Sequence, residues 1–180
     1  MRSAFSRTVG LVVFLLVSAA ASRAEAQRIG LEAGLAGVEN YSALNPSVGL
    51  SLFLPLTDRF RGVASVAQWA GCDGNNAQCD EPRAGFGNRG FNVVGLYRVV
   101  GSSATNASVG AGLGWYEMLR IRDGESHSRY DEAVTLSAEA RRAVAYNSSV
   151  YLRGDLSFPT DDNQPRWSFL RLGVDVGGIF

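Results

Sequence analysis

Apolar residues recur at every second position of the last run of the chain, residues 167–180. One set of alternate positions is apolar or glycine: Leu170, Leu172, Val174, Val176, Gly178 and Phe180. The other set has Arg171 and Asp175 at its centre. Because successive side chains of a β-strand point to opposite faces, a period of two predicts a strand. One face of this strand is aliphatic, and the other carries charge.

Seven further runs upstream have the same alternation, and turn residues separate them. In most of them one face is aliphatic, while the other is largely glycine and serine with an arginine or an acid near the middle. The phase of the third run is ambiguous, and we favour Val63, Ala67 and Trp69 on the outer face with Gln68 inside. Eight antiparallel strands are the expected architecture. The upstream runs are 28–38, 48–56, 60–70, 89–100, 107–115, 134–141 and 150–157.

The connections between the runs alternate in length. Those near residues 57, 103 and 146 are tight, whereas 71–88, 120–132 and 158–166 are longer and charged; the first, 39–46, is a fairly short exception. Short turns at one end, long loops at the other and aromatic girdles at both are typical of membrane-spanning β-barrels. The expected girdles are Trp69, Trp115 and Phe158 on the loop side, and Phe60, Tyr97 and Phe180 on the turn side.

The first 26 residues have the composition of an export signal. Arg2 and Arg7 precede a short apolar run, and an Ala-x-Ala triplet ends at Ala26. We expect a signal peptide at 1–26 with cleavage after Ala26, because the apolar run is shorter than the ~20 residues of a spanning helix. Residues 27–180 then form one β-barrel domain.

Composition excludes several other classes of function. All 17 basic residues are arginine, they balance 17 acids, and no basic patch suggests nucleic acid. Cys72 and Cys79 are an even pair in an exported chain, which predicts one disulfide in the third connection, 71–88. The Asp- and Asn-rich stretches at 73–76 and 161–163 lack the spacing of a calcium loop, so we interpret them as turns and expect no metal and no cofactor.

Eight charged residues share the glycine- and serine-rich face. Because eight strands leave an interior just wide enough for side chains, we expect these charges to pair in a polar lumen and to plug it. A proton or ion path is the alternative for charges at membrane depth. The predicted network is Glu32, Glu139, Asp155 and Asp175 against Arg98, Arg141, Arg153 and Arg171.

In its leader, strand count, loop asymmetry and terminal aromatic residue, the chain resembles the small eight-stranded outer-membrane barrels of the OmpA-transmembrane-domain and OmpX type. The resemblance implies an all-β fold: an eight-stranded antiparallel up-and-down transmembrane β-barrel. It also implies location in the bacterial outer membrane, a structural or surface-interaction role, and Phe180 as an assembly signal read by the barrel-assembly machinery. The implied partners are outer-membrane lipid and lipopolysaccharide, and the implied state is a monomer.

Two alternatives from other classes remain. Some eight-stranded barrels are lipid A deacylases, and His127 lies between Ser126 and Ser128 in the predicted 120–132 loop. Adjacent residues of an extended segment point to opposite sides and do not easily form a dyad, so we expect no enzyme. A soluble, lipocalin-like barrel would instead turn its aliphatic face inward around an apolar ligand.

Overall fold

The computed structural model describes residues 27–39, 44–70, 88–122, 125–161 and 166–177. The predicted leader, Cys72, Cys79 and Phe180 lie outside the described residues. No helix in the described part of the chain is long and apolar enough to cross a membrane.

Eight antiparallel strands form one closed barrel in which each strand pairs with its neighbours in sequence and β1 pairs with β8. This confirms the predicted fold class, an all-β up-and-down barrel. The strands are β1 Arg28–Val38, β2 Leu44–Pro55, β3 Phe60–Trp69, β4 Asn88–Gly101, β5 Thr105–Arg122, β6 Glu125–Ala145, β7 Ser148–Pro159 and β8 Trp167–Gly177.

The strands are staggered around the barrel. Directly opposed residues lead from Glu32 through β2 to β5 and reach β6 at Asp131. The same walk in the other direction, through β8 and β7, reaches β6 at Arg141, ten residues further along. Such a stagger requires tilted strands, and with eight strands the interior has room for side chains only.

The outward positions form a continuous apolar band. In β5 they are alternate residues from Ala107 to Trp115, and this segment spans about 26 Å at about 3.3 Å per residue. Aliphatic residues of this face are well exposed, Leu31 at 69% among them. The apolar band ends on the loop side at charged residues of the same face: Arg89, Glu117 and Glu132. So large an exposed apolar surface is unusual for a soluble monomer and typical of a lipid-facing wall.

The predicted phase of the third strand is wrong. Val63, Ala67 and Trp69 point inward and are buried, whereas Gln68 is exposed on the outer face. The Trp69 ring finds room inside because it packs edge-on against Tyr116 and Phe169, with ring centroids 6.1 and 5.2 Å away. Trp69 therefore does not belong to the outer girdle. The Trp115, Phe158, Phe60 and Tyr97 positions face outward as predicted.

The predicted 120–132 loop is also wrong, because most of it is strand. β5 runs to Arg122 and β6 begins at Glu125, and these two residues still pair. Within the described residues, pairing of β4 with β5 ends at Glu117, and pairing of β6 with β7 ends at Ala133. The end of the β5–β6 hairpin is thus a two-stranded ribbon beyond the barrel wall. Such a ribbon has no core to face, so its sequence needs no apolar alternation.

Candidate functional site

Three groups of side chains in the lumen are distinguished by their chemistry, and a buried apolar cluster lies beside them: Phe53, Val63, Val94, Leu96 and Tyr151. We call Trp69, Tyr116, Trp167 and Phe169, on the side of the long loops, the aromatic cap. We call Glu32, Arg153, Asp155 and Arg171, near the middle of β1, β7 and β8, the central quartet. We call Arg28, Arg61, Glu139, Arg141 and Asp175, on the side of the tight turns, the turn-side group.

In the central quartet each arginine contacts both carboxylates. Arg153 Nη2 lies 2.6 Å from Glu32 Oε1, and Arg153 Nε lies 3.6 Å from Asp155 Oδ2. Arg171 Nη1 lies 3.0 Å from Glu32 Oε2, and its Nη2 bonds Asp155 Oδ2. All four side chains are almost completely buried. The charges of the quartet balance, as buried ions require, because a lone charge taken out of water is very costly.

Neutral hydroxyl groups complete the coordination of the two quartet carboxylates. The Ser51 and Tyr151 hydroxyls donate to Glu32 Oε1 at 2.6 and 2.9 Å. The Ser137 hydroxyl donates to Asp155 Oδ1 at 2.6 Å. These donors come from strands on both sides of the quartet, so the barrel must be closed before the set is complete.

Tyr151 reaches Glu32 because glycine leaves its path free. In the register of β7 with β8, Tyr151 lies opposite Gly173, and its ring covers that glycine. A Cβ atom at Gly173 would collide with the Tyr151 ring. The glycine-rich inward face therefore makes space for the few large side chains of the lumen.

The turn-side group is built around Arg141. Arg141 Nη1 lies 2.7 Å from Asp175 Oδ2, and Arg141 Nε donates to Glu139 Oε1 at 3.0 Å. Its guanidinium group lies over the Phe53 ring, 4.2 Å from the centroid. Arg61 Nη2 lies 2.5 Å from Glu139 Oε1, and Arg28 pairs with Asp175.

The structure brings seven of the eight residues of the predicted network into ion pairs inside the lumen, and Arg98 is the exception. Arg98 is partly exposed near the end of β4, beside an irregularity of the register, and forms no ion pair with any described residue. Arg28 and Arg61 belong to the network but were missed. Arg61 has the same parity as Val63, so the wrong phase of the third strand concealed it. Arg28 shares the parity of Glu32, which was the signal available for it.

The aromatic cap packs around Tyr116. Its ring is stacked on Phe169, with centroids 5.8 Å apart, and lies 4.7 Å from Trp167. The Tyr116 hydroxyl donates to Asn92 Oδ1 at 2.7 Å and lies 2.5 Å from Ser157 Oγ. The ring thus fills space while its polar end is hydrogen-bonded, as a buried tyrosine requires.

Outside the lumen, the described residues show little that resembles a catalytic or metal site. His127 lies in β6 opposite Arg120 and not in a loop, so the predicted loop position is wrong. No group of three or more His, Cys, Asp or Glu within the described ranges is placed to hold a metal.

At the side of the tight turns, Arg59 lies in the turn between β2 and β3. A hydrogen bond to the Tyr97 hydroxyl raises the pKa of this exposed arginine.

Comparison with known proteins gives matches of structure only. No protein-family model and no curated protein matches the sequence. Neisserial surface protein A is 14% identical with a TM-score of 0.62, over 84% of this chain and 95% of that chain. The N-terminal β-barrel domain of Pseudomonas aeruginosa OprF is 14% identical with a TM-score of 0.57, over 82% and 96%.

A third similar structure is Ail, the attachment invasion locus protein of Yersinia pestis. It is 14% identical with a TM-score of 0.55, over 84% of this chain and 95% of that chain. Another structure of Ail, 12% identical with a TM-score of 0.55, over 84% and 96%, is a complex with the heparin analogue sucrose octasulfate. In strand number, closure and polarity of its two faces, this chain has the fold of the small eight-stranded outer-membrane β-barrels.

Proposed function

We propose that this protein is an integral barrel of the bacterial outer membrane with a structural or surface-interaction role. The observation that carries the proposal is the polarity of the wall. Aliphatic side chains point outward along all eight strands, and the charged side chains of mid-strand positions point inward and pair. This arrangement is stable in lipid, where a closed barrel leaves no strand edge unpaired.

The lumen is a plug and not a wide pore. The proposal of a plugged lumen is supported by the aromatic cap, the central quartet and the turn-side group, which follow one another along one narrow interior. After reconstitution in planar bilayers, the protein should give no steady nanosiemens-scale conductance. Such a state in preparations whose insertion is verified would contradict the plug and leave the membrane location intact.

The surface role is supported by the β5–β6 ribbon, which extends beyond the wall at the loop side. Two proteins of the same fold, Neisserial surface protein A and Ail, carry surface or attachment in their names, and Ail also forms a complex with a sulfated sugar. We infer that the loop end of this barrel faces the outside as a monomer and contacts lipopolysaccharide or another partner there.

Biogenesis completes the proposal. Signal cleavage after Ala26 delivers the chain for assembly, Phe180 is read as the assembly signal, and Cys72 is oxidised to Cys79. Neither alternative class gains support. The exposed aliphatic band opposes a soluble barrel, and nothing observed for the described residues favours a deacylase centred on His127.

Membrane fractionation tests the location. Outer membranes that contain the protein should keep it through a urea wash and release it only into detergent. The extracted protein should run at a different apparent mass on SDS gels before and after boiling. Release by urea, together with no heat-modifiable form, would sink the proposal.

A further inference from the structure

The turn-side group has an unbalanced charge. Two carboxylates, Glu139 and Asp175, are shared among three guanidinium groups, those of Arg28, Arg61 and Arg141. The formal net charge of the group is therefore +1, whereas the central quartet is neutral. Other charged residues at this end, Asp58, Arg59 and Arg142, are exposed to solvent, and Arg98 is partly exposed and adds positive charge.

Two nitrogen atoms of these arginines have no hydrogen-bond partner among the described residues. Arg141 Nη2 and Arg61 Nε are buried and lack an acceptor. The Arg141 side chain is only 6% exposed, so bulk solvent does not supply one. Glu139 Oε2 is an unused acceptor in the same place, and one water molecule would satisfy it. Water does not remove the surplus positive charge of the group, however, and an uncompensated charge in a buried group is costly.

Among the described residues, the group is exposed towards the side of the tight turns. On the turn side, Arg28 and Arg61 keep 28% and 18% of their side chains exposed. On the loop side, the central quartet and then the aromatic cap lie between the group and the opposite end of the lumen. A solute that reaches Arg141 therefore comes from the side of the tight turns.

We propose that the turn-side group binds one small monovalent inorganic anion, of which chloride is the type, between Arg61 and Arg141. The surplus of one positive charge in the group matches one negative charge. The unpartnered N–H groups can donate hydrogen bonds to the anion. A polyvalent or bulky anion fits less well, because it would overcompensate the charge and would have to displace Glu139 or Asp175. The site lies in a recess that opens towards the tight turns, so the anion can bind there without crossing the barrel.

The test compares thermal unfolding of the refolded protein in detergent with sodium chloride or with sodium gluconate at equal ionic strength. Chloride should raise Tm by about 2–4 °C at concentrations well above Kd, since a ligand of the folded state stabilises it. The Arg61→Gln variant, which leaves two cations for two carboxylates, should lose this difference. Arg59→Gln, the same change in the neighbouring exposed turn, should keep it. An equal chloride effect in both variants, or none in the wild type, would overturn the site.

Bromide provides a second measurement that does not depend on how well a variant folds. Crystals of the wild-type protein grown in bromide should show an anomalous peak within hydrogen-bond distance of Arg141 and Arg61. A peak from water only, with no anomalous signal at that position, would contradict the proposal. Neither result bears on the membrane location, so failure here and failure of the proposed function are distinguishable.

Discussion

At the scale of single residues, the fold depends on a few buried charges that are each held by more than one partner. Arg171 is the clearest case, since it bonds both Glu32 and Asp155, and Arg153 contacts the same two acids. Its planar fork engages two carboxylates at once, which a lysine does not do. Removal of Arg171 leaves two buried carboxylates to share one arginine, so one negative charge is no longer compensated.

Replacement of Arg171 by alanine should lower the free energy of unfolding by about 3–5 kcal/mol, less whatever is recovered by water that enters the polar lumen. Equilibrium urea unfolding in lipid vesicles measures this loss. Arg166→Ala is the matched control: Arg166 is exposed and lies 3.8 Å from Glu39, so its loss should stay within about 0.5 kcal/mol. Equal losses in the two variants would show that Arg171 is not buried among acids.

Glycine has a residue-scale role of its own under the Tyr151 ring. Gly173→Ala should destabilise the barrel by about 1–3 kcal/mol, because the added methyl group collides with Tyr151 and moves its hydroxyl from Glu32. Gly154→Ala is the control, since a methyl group there would meet only one backbone oxygen at 4.0 Å. The same urea titration compares the two, and a Gly173→Ala variant as stable as Gly154→Ala would refute the role of this contact.

At the scale of strands, alternation of apolar and polar residues predicts the wall of the barrel well and its inner packing less well. Seven runs were placed with the correct face outward, because lipid on one side and paired charges on the other impose opposite chemistry. The third was not. Val63 and Trp69 resemble lipid-facing residues. The inward Trp69 packs against the rings of Tyr116 and Phe169, which come from distant strands and are not apparent from its own run.

The length of β5 and β6 was unpredictable for a different reason. Among the described residues, those beyond the wall in β5 and β6 pair only with each other. No buried face constrains their sequence, and charged residues are compatible with strand pairing there. Because the ribbon does not pair with the described residues of the other strands, we expect that the ribbon is not needed for assembly of the barrel.

Replacement of residues 119–128 by Asn-Gly, a two-residue hairpin turn next to the Met118–Arg129 pair, should leave the heat-modifiable folded fraction unchanged. As the control, removal of two opposed pairs within the wall, 111–112 together with 135–136, should abolish the folded form, because these residues pair with β4 and β7 as well. Densitometry of unboiled samples gives both fractions. Loss of folding in the first variant would mean that the ribbon nucleates the barrel.

At the scale of the whole molecule, the wall of the barrel has the opposite polarity to that of a soluble protein: apolar side chains face outward and charged side chains face inward. Its exterior is aliphatic over about 26 Å of strand, and its interior holds ion pairs, hydroxyl groups and a small aromatic cap. The exterior follows directly from the sequence pattern. The separation of the interior into a balanced quartet and a cationic turn-side group does not, since it depends on the ten-residue stagger that brings β1, β6, β7 and β8 into one network.

The three tryptophans of the chain allow the most direct test of this account. Trp115 occupies an outward position of the wall, whereas Trp69 and Trp167 are buried in the aromatic cap. Three variants that keep one tryptophan each, with phenylalanine at the other two positions, are refolded into vesicles of plain or brominated lipid. Brominated chains should strongly quench Trp115 fluorescence and leave Trp69 and Trp167 nearly unchanged. Unquenched Trp115, or equal quenching of all three, would contradict a membrane-spanning barrel with this orientation of its faces.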